Sequence, residues 1–380
     1  MCQYVYIFGR TPDLARQELR RILPDGEIVD FSDGALVMLR SDEQAKAVFF
    51  RLGGSVKCAV VTKVTPDFKP DYVTSCLNID NKAIEFGISY YGIRSFPLPK
   101  VVDTVKRELE ADGHKVRYRL PKNGVALSSA TVGKTKIQEI IIVPTKAGYL
   151  FARTLVVQDF DFWNRIDYGR PEADASLGML PPKVARMLNN LAFGQSALKK
   201  TLLDPFCGMG TILQDGLIQG ASVIGSDNNK HVLARCQKNL DWLGKELPGI
   251  SSCCQTLHLS DATHISGLLK EYSIDVIVTE PYMGPTKFGE GKVPLEKTRN
   301  IFRGLEKLYL GCLRDWSRIL KSKGMVAVCL PLYQADNRRL IQIKVIDTCR
   351  RLGYTKKLGP ITYAREHAVI ARQIYLLQKE

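Results

Sequence analysis

The chain has 380 residues, 45% of them hydrophobic, enough for two or three domains with sizeable cores, and no apolar run of about twenty residues that could cross a bilayer. Lysine and arginine outnumber aspartate and glutamate by 54 to 39, and the net charge of +15 favours an anionic partner. Ten cysteines without a Cys-x-x-Cys pair and five histidines without ligand spacing argue against a metal centre or a disulfide framework, so reduced thiols in a soluble, cytoplasmic protein are expected.

A first strand is expected at Tyr4–Phe8, followed by a helix opened by Thr11-Pro12 with Ala15, Leu19, Ile22 and Leu23 on one face. Glu27–Phe31 and Ala35–Leu39 flank Ser-Asp-Gly, a hairpin signal. Ser41 and Gln44 form a capping box for a helix that ends at Gly53-Gly54, and Val56–Val64 is a further strand. Residues 1–65 therefore read as a small α+β module without a reactive constellation.

A second module is expected over residues 66–156, centred on the helix Val101–Ala111. The strand Val116–Leu120 alternates so that Arg117 and Arg119 share one face. With Lys134 and Lys136 close by in sequence, these residues are candidate RNA contacts, and Arg170 further along is counted with them. Each phosphate contact would contribute roughly −0.7 to the log–log salt slope on single strands.

Periodicity stops between residues 157 and 180, which are read as a linker without secondary structure. Pro181-Pro182 then opens a helix, Lys183–Phe193. Next stands Leu-Leu-Asp-Pro-Phe-Cys-Gly-Met-Gly-Thr from Leu202 to Thr211, a helix to Ile218, and Val223–Asp227. Strand, glycine-spaced loop, helix and acid-tipped strand form the unit that holds a nucleoside. Gly208 and Gly210 let backbone approach the ligand, and Asp227 is placed to accept from ribose hydroxyls. Leu213 occupies the third glycine position of a dinucleotide fingerprint, and no lysine follows Gly210 as a Walker loop requires, so both phosphate-binding readings fail.

Further strands are expected at Thr256–Leu259, before Asp261-Ala262, at Ile274–Thr279, at Met325–Leu330 and in a closing hairpin of Tyr354–Tyr363 with Val369–Leu377. Helices are expected at Thr298–Leu320 and Leu340–Leu352. The alternation predicts an α/β fold with an open, mostly parallel, doubly wound sheet. Ligands of such sheets sit at the carboxyl ends of strands, and Ile274–Thr279 ends in Glu280-Pro281-Tyr282.

The loop Asp204–Thr211 resembles the first motif of S-adenosylmethionine-dependent amino-methyltransferases. That resemblance implies a Rossmann-like domain over residues 181–380, S-adenosyl-L-methionine held by Asp204, Phe206, Cys207, Gly208, Gly210, Thr211, Asp227, Asn228, Asp261 and Ala262, and an ammonium partner in Asp204. It also implies Glu280, Pro281 and Tyr282 as the reacting motif, although the family carries Asp/Asn-Pro-Pro-Tyr there; deleting one residue puts Tyr282 in the aromatic's place. Asp167-Tyr168-Gly169-Arg170-Pro171 and Pro181-Pro182-Lys183-Val184-Ala185-Arg186 through Asn190-Leu191-Ala192 narrow the resemblance to the THUMP-containing tRNA guanine-N2 methyltransferases. Ile166 stands where that family's first arginine would be, and Arg165 is taken to serve instead. The family implies tRNA as partner, residues 1–65 as a ferredoxin-like α+β module and residues 66–156 as the THUMP-like, RNA-gripping part, and leaves open an accessory subunit. Two other readings stay open: amino-methylation of DNA or ribosomal RNA, and a catalytically silent tRNA binder.

Overall fold

The computed structural model describes the chain apart from residues 93–94, 136, 174–178, 251–254, 286–294, 335–339, 343 and 365–369. The chain divides into two compact units, Met1–Trp163 and Asn164–Glu380.

The first unit contains β1 (Cys2–Phe8), α1 (Pro12–Ile22), β2 (Ile28–Phe31), β3 (Gly34–Leu39), α2 (Asp42–Arg51) and β4 (Ser55–Thr65). It continues through α3 (Pro70–Thr74), β5 (Ala83–Tyr90), α4 (Leu98–Ala111), β6 (Lys115–Arg119), α5 (Ser129–Thr135), β7 (Gln138–Thr145) and β8 (Gly148–Val157). The strands form one sheet in the order β2-β3-β1-β4-β8-β7-β5-β6. Antiparallel pairing of β4 with β8 joins the strands of residues 1–65 to those of residues 66–156. Ser41 caps α2, the Gln44 N–H donating to Ser41 Oγ at 3.3 Å, while Gln44 Oε1 reaches one residue past the expected capping-box partner and accepts from the Arg40 N–H at 2.8 Å.

Inside this sheet lies a buried ion pair between Lys57 on β4 and Glu139 on β7. Lys57 Nζ also donates to Leu127 O at 2.7 Å, and Glu139 accepts from the hydroxyls of Ser89 and Thr154. The knot is fully satisfied, which is the condition for carrying charge into an apolar interior.

Next in the chain after β8 comes α6 (Phe160–Tyr168), where the sequence predicts no secondary structure. Asp159 Oδ1 accepts from the Phe162 N–H at 2.9 Å, and Trp163 and Ile166, one turn apart, are buried. One turn of spacing is too short to register as periodicity, and the cap and the buried pair stabilise the helix instead.

The second unit comprises α7 (Pro182–Phe193), β9 (Thr201–Asp204), α8 (Thr211–Ile218), β10 (Ser222–Asp227), α9 (Lys230–Glu246), β11 (Gln255–Leu259) and β12 (Ile274–Thr279). After these come α10 (Leu295–Ile319), β13 (Leu320–Gln334), β14 (Leu340–Gln342), α11 (Val345–Thr348), β15 (Tyr354–Tyr363) and β16 (Ile370–Lys379). The sheet order is β11-β10-β9-β12-β13-β16-β15, with β14 beside β13. The strands from β11 to β13 are parallel, and β16 and β15 complete the edge as an antiparallel pair. This is the mostly parallel α/β sheet that the alternation predicts. The expected helix over Leu340–Leu352 begins instead as β14, pairing Leu340–Gln342 with Leu332–Gln334; only Val345–Thr348 is α-helical.

From β9 the chain winds outward through β10 to β11, then returns to lay β12 on the opposite side of β9. That reversal opens a crevice at the carboxyl ends of β9 and β12. Beneath it, Leu203, Ile277, Leu305, Tyr309, Trp316 and Val326 share one apolar core.

Replacing Glu139 with glutamine should strand the Lys57 ammonium and destabilise the first unit by roughly 3–5 kcal/mol. A Lys57→Met/Glu139→Leu double variant should recover most of that loss in a urea-unfolding titration; equal losses in both would show that the pair's charges do not matter.

Candidate functional site

Four carboxyl-bearing side chains stand where strands end at the crevice. Asp204 closes β9 and is 2% exposed. Its Oδ1 accepts from the Thr279 hydroxyl at 2.7 Å and from the Phe206 N–H at 3.1 Å. Burial, reinforced by the charges of Asp227 and Glu280, pushes this carboxyl up to about 7, while the two hydrogen bonds pull it down. Asp227 closes β10, with Oδ2 accepting from the Gly208 N–H at 3.3 Å and Oδ1 from the Asn229 N–H at 2.9 Å. Its carboxylate keeps lone pairs for a ligand hydroxyl. Asn228 beside it is exposed, and Asn229 caps α9.

The loop between β9 and α8 is held from both sides. The Cys207 N–H donates to Ser226 O at 2.9 Å and the Gly210 N–H to Cys207 O at 2.7 Å. Gly210 has φ +83°, and a Cβ there would lie 2.7 Å from Cys236 Sγ, so neither conformation nor space admits another residue. Gly208, at φ +50°, is different: a Cβ would meet only Phe206 O, at 4.0 Å. The open side of the loop is therefore at Gly208, where backbone can face a ligand.

After β11, exposed Asp261 accepts from the Thr263 N–H at 2.8 Å and the Thr263 hydroxyl at 2.7 Å, contacts that hold its carboxyl below the ordinary range. Buried Ala262 fixes this turn to the core, its carbonyl accepting from Trp316 Nε1 at 2.9 Å. The expected cofactor residues thus line the ends of three adjacent strands, β9 to β11.

Glu280 follows β12 on the other side of β9. Its Oε1 accepts from Arg372 Nε and Nη2, each at 2.6 Å. Pro281 is buried and Tyr282 is 57% exposed. Two tyrosines anchor this turn: Tyr309 donates to Tyr282 O at 2.6 Å and Tyr333 to Met283 O at 2.7 Å. Tyr309 is part of the buried core, and its hydroxyl finds an acceptor in the turn after β12. Gly284 follows at φ +90°, where a Cβ would lie 2.4 Å from the Tyr333 hydroxyl.

The RNA-contact candidates fare differently. Arg117 and Lys134 are exposed, and exposed Arg119 pairs with Glu85 at 2.9 Å. Lys136 lies outside the described residues. Arg170 must be corrected. It is 5% exposed, and its guanidinium donates to Thr211 Oγ1 at 2.9 Å and Asp167 Oδ1 at 3.5 Å. A side chain so enclosed supports the start of α8 and cannot reach a phosphate. Arg165 is half exposed and faces Glu246 at 3.7 Å.

Several supporting residues carry no signal of their own in the sequence. Asn239 on α9 is fully buried and donates to both Met209 O and Glu172 O at 3.0 Å, binding the segment after Arg170 to the glycine loop. Asp215 on α8 accepts from Arg186, and from Asn189 and Gln219 at 2.8 Å, which ties α7 to α8. Arg186 and Asn190 fall inside the expected α7 motif; Asp215 and Asn239 look like ordinary helical surface residues.

The second unit is thus a Rossmann-like, mostly parallel sheet whose strand ends carry the glycine loop on one side and Glu280 on the other. More particularly, residues 172–340 match the family model described as RMKL-like, methyltransferase domain. The tRNA (guanine(10)-N2)-dimethyltransferase of Pyrococcus abyssi is 24% identical over 215 residues, 57% of this chain and 53% of the relative. The enzyme of that name from Methanothermobacter thermautotrophicus is 31% identical over 157 residues, 41% and 40% of the two chains. That from Methanocaldococcus jannaschii is 26% identical over 263 residues, 66% and 69%. The chain thus spans about half the length of the first of these relatives. Among solved structures, a "possible methylase" from Clostridium difficile 630 superposes with TM-score 0.50 at 13% identity over 98% of this chain and 97% of its own, a likeness of fold.

Arg170→Met should destabilise the second unit by about 2 kcal/mol, as loss of a buried charged hydrogen bond does. It should also leave the salt slope of any RNA binding unchanged; a slope smaller by about 0.7 would restore Arg170 as a phosphate contact.

Proposed function

We propose that the chain transfers a methyl group from S-adenosylmethionine to the exocyclic N2 of a guanosine in tRNA, at position 10 as in the names of its relatives, in the cytoplasm. The observation that carries this reading is the meeting of two motifs at one crevice: the glycine loop after β9 and Glu280-Pro281-Tyr282 after β12, tied by the Thr279–Asp204 hydrogen bond. In the first unit, residues 66–156 are assigned the THUMP-like role of holding RNA, through exposed Arg117, Arg119 and Lys134.

S-adenosylmethionine supplies an electrophilic methyl group on a sulfonium. The residues present fit it: open backbone at Gly208, Asp204 for the ammonium, Asp227 for the ribose and Asp261 for the adenine amine. On the facing side the Glu280 carboxylate accepts an N–H of the base amine and directs the nitrogen lone pair toward the methyl group. Tyr282, exposed beside it, offers a ring for the base to stack on. Aimed acceptors and fixed position supply most of the barrier reduction. A paired base hides its amine, so the target must be flipped or unpaired.

The full chain, given tritiated cofactor with unmodified total tRNA, ribosomal RNA and DNA, should place label in N2-methylguanosine of tRNA, identified by nucleoside mass spectrometry. Label in N6-methyladenine of DNA would replace this reading, and no label anywhere would leave an RNA-binding protein. Glu280→Ala should keep cofactor affinity within about twofold yet lose roughly 100-fold in turnover; wild-type turnover would remove Glu280 from the mechanism.

Asp204 makes cofactor binding depend on pH. Only its ionised form attracts the ammonium, so affinity should rise up to about tenfold per pH unit below about pH 7 and level off above. Calorimetry from about pH 6 to about pH 8 checks this, with Asp204→Asn expected to flatten the profile. In the free protein the sign is opposite. A folded-state value of about 7 against the ordinary 3.8 means that the folded chain holds the extra proton, so stability falls as pH rises through that window.

A further inference from the structure

Arg372 lies in β16, within register of Pro331 on β13 and two strands away from β12. Because β16 runs antiparallel to β13, its first residues reach the same end of the sheet as the carboxyl ends of β9 and β12. The guanidinium is 10% exposed and the Glu280 carboxylate 15%, so the pair is largely removed from water. Nε and Nη2 converge on Oε1, and Cζ lies 5.7 Å from the centre of the Tyr363 ring on β15. A glutamate has one more rotatable bond than the aspartate or asparagine that the amino-methyltransferase motif carries here. A planar fork contacting one oxygen from two nitrogens removes that freedom, and a carboxylate with about four lone-pair sites can still accept from a ligand.

We propose, on the reading of Glu280 as acceptor of the base amine, that Arg372 is a positioning residue which fixes the Glu280 carboxylate in its reacting orientation. Arg372 itself touches neither base nor cofactor. Its effect is carried by geometry: a misplacement of about 1 Å at a reacting group can cost about 100-fold in rate.

The test uses the full chain with unmodified tRNA and tritiated S-adenosylmethionine. Arg372→Gln should lower kcat by roughly 10- to 100-fold with cofactor Kd, by calorimetry, within about twofold of wild type. Arg372→Lys should recover only part of the loss, since an ammonium offers one point of contact where the fork offers two. In a chain already carrying Glu280→Gln, adding Arg372→Gln should cost no more than about a further twofold, because the group it positions is gone. Circular dichroism and thermal unfolding show whether each variant folds; should Arg372→Gln fail to fold, Arg372→Lys carries the test, with kcat expected down about fivefold or more. The proposal is overturned if the folded Arg372 variant keeps kcat within about twofold, or if its loss is the same size with and without the Glu280 carboxylate. A fully active Glu280→Gln variant would overturn the acceptor reading instead. An impaired Glu280→Gln variant beside a fully active Arg372→Gln variant would overturn positioning alone.

Discussion

The hydrogen bond from Thr279 to Asp204 spans the place where the sheet changes direction, and the rest of the second unit is arranged about it. Strands β9 and β12 are neighbours only because the chain reverses between them. Thr279 is fully buried, so its hydroxyl needs an acceptor; Asp204, also buried, needs donors. Each satisfies the other, and the ends of the two strands are held level. One strand then delivers the glycine loop and the other delivers Glu280, so one short contact fixes the spacing between them.

Around that contact the structure spends buried polarity generously. Arg170 meets Thr211, Asn239 meets Met209, Asp215 gathers Arg186, Asn189 and Gln219, and Tyr309 and Tyr333 meet the backbone after Pro281. Each contact offsets part of the penalty for burial, with Arg170 Nε and Asn189 Oδ1 buried outside any hydrogen bond among the described residues, and partner geometry makes the loops rigid. Rigidity at loops is what a site gains when its chemistry depends on placement more than on a reactive side chain.

Much of the second unit is legible in the sequence. Buried parallel strands such as Ile274–Thr279 are continuous apolar runs, and Gly208 and Gly210 mark the turn because few residues adopt positive φ there. Asp204, Asp227, Asp261 and Glu280 follow from standing at strand ends. What sequence reasoning misses is local or distant. Helix α6 is too short for its periodicity to register, and the apolar run at Leu340 joins β13 as a strand, since tertiary pairing outweighs propensity. Arg170 reads as one more cation in a basic chain, and only burial shows that its charge points inward. The partner of Glu280 is ninety-two positions away, on a strand whose own pattern says nothing about carboxylates.

That distance has a consequence for how the site comes into being. The glycine loop, Asp227, Asp261 and Glu280 all leave the ribosome before residue 372. Strand β16 is late in translation yet interior in space, inserted between β13 and β15. A chain synthesised only as far as β15 therefore lacks both the strand that pairs with β13 and the guanidinium that meets Glu280. Synthesis order thus makes the Glu280–Arg372 pair one of the last contacts of the second unit that can form.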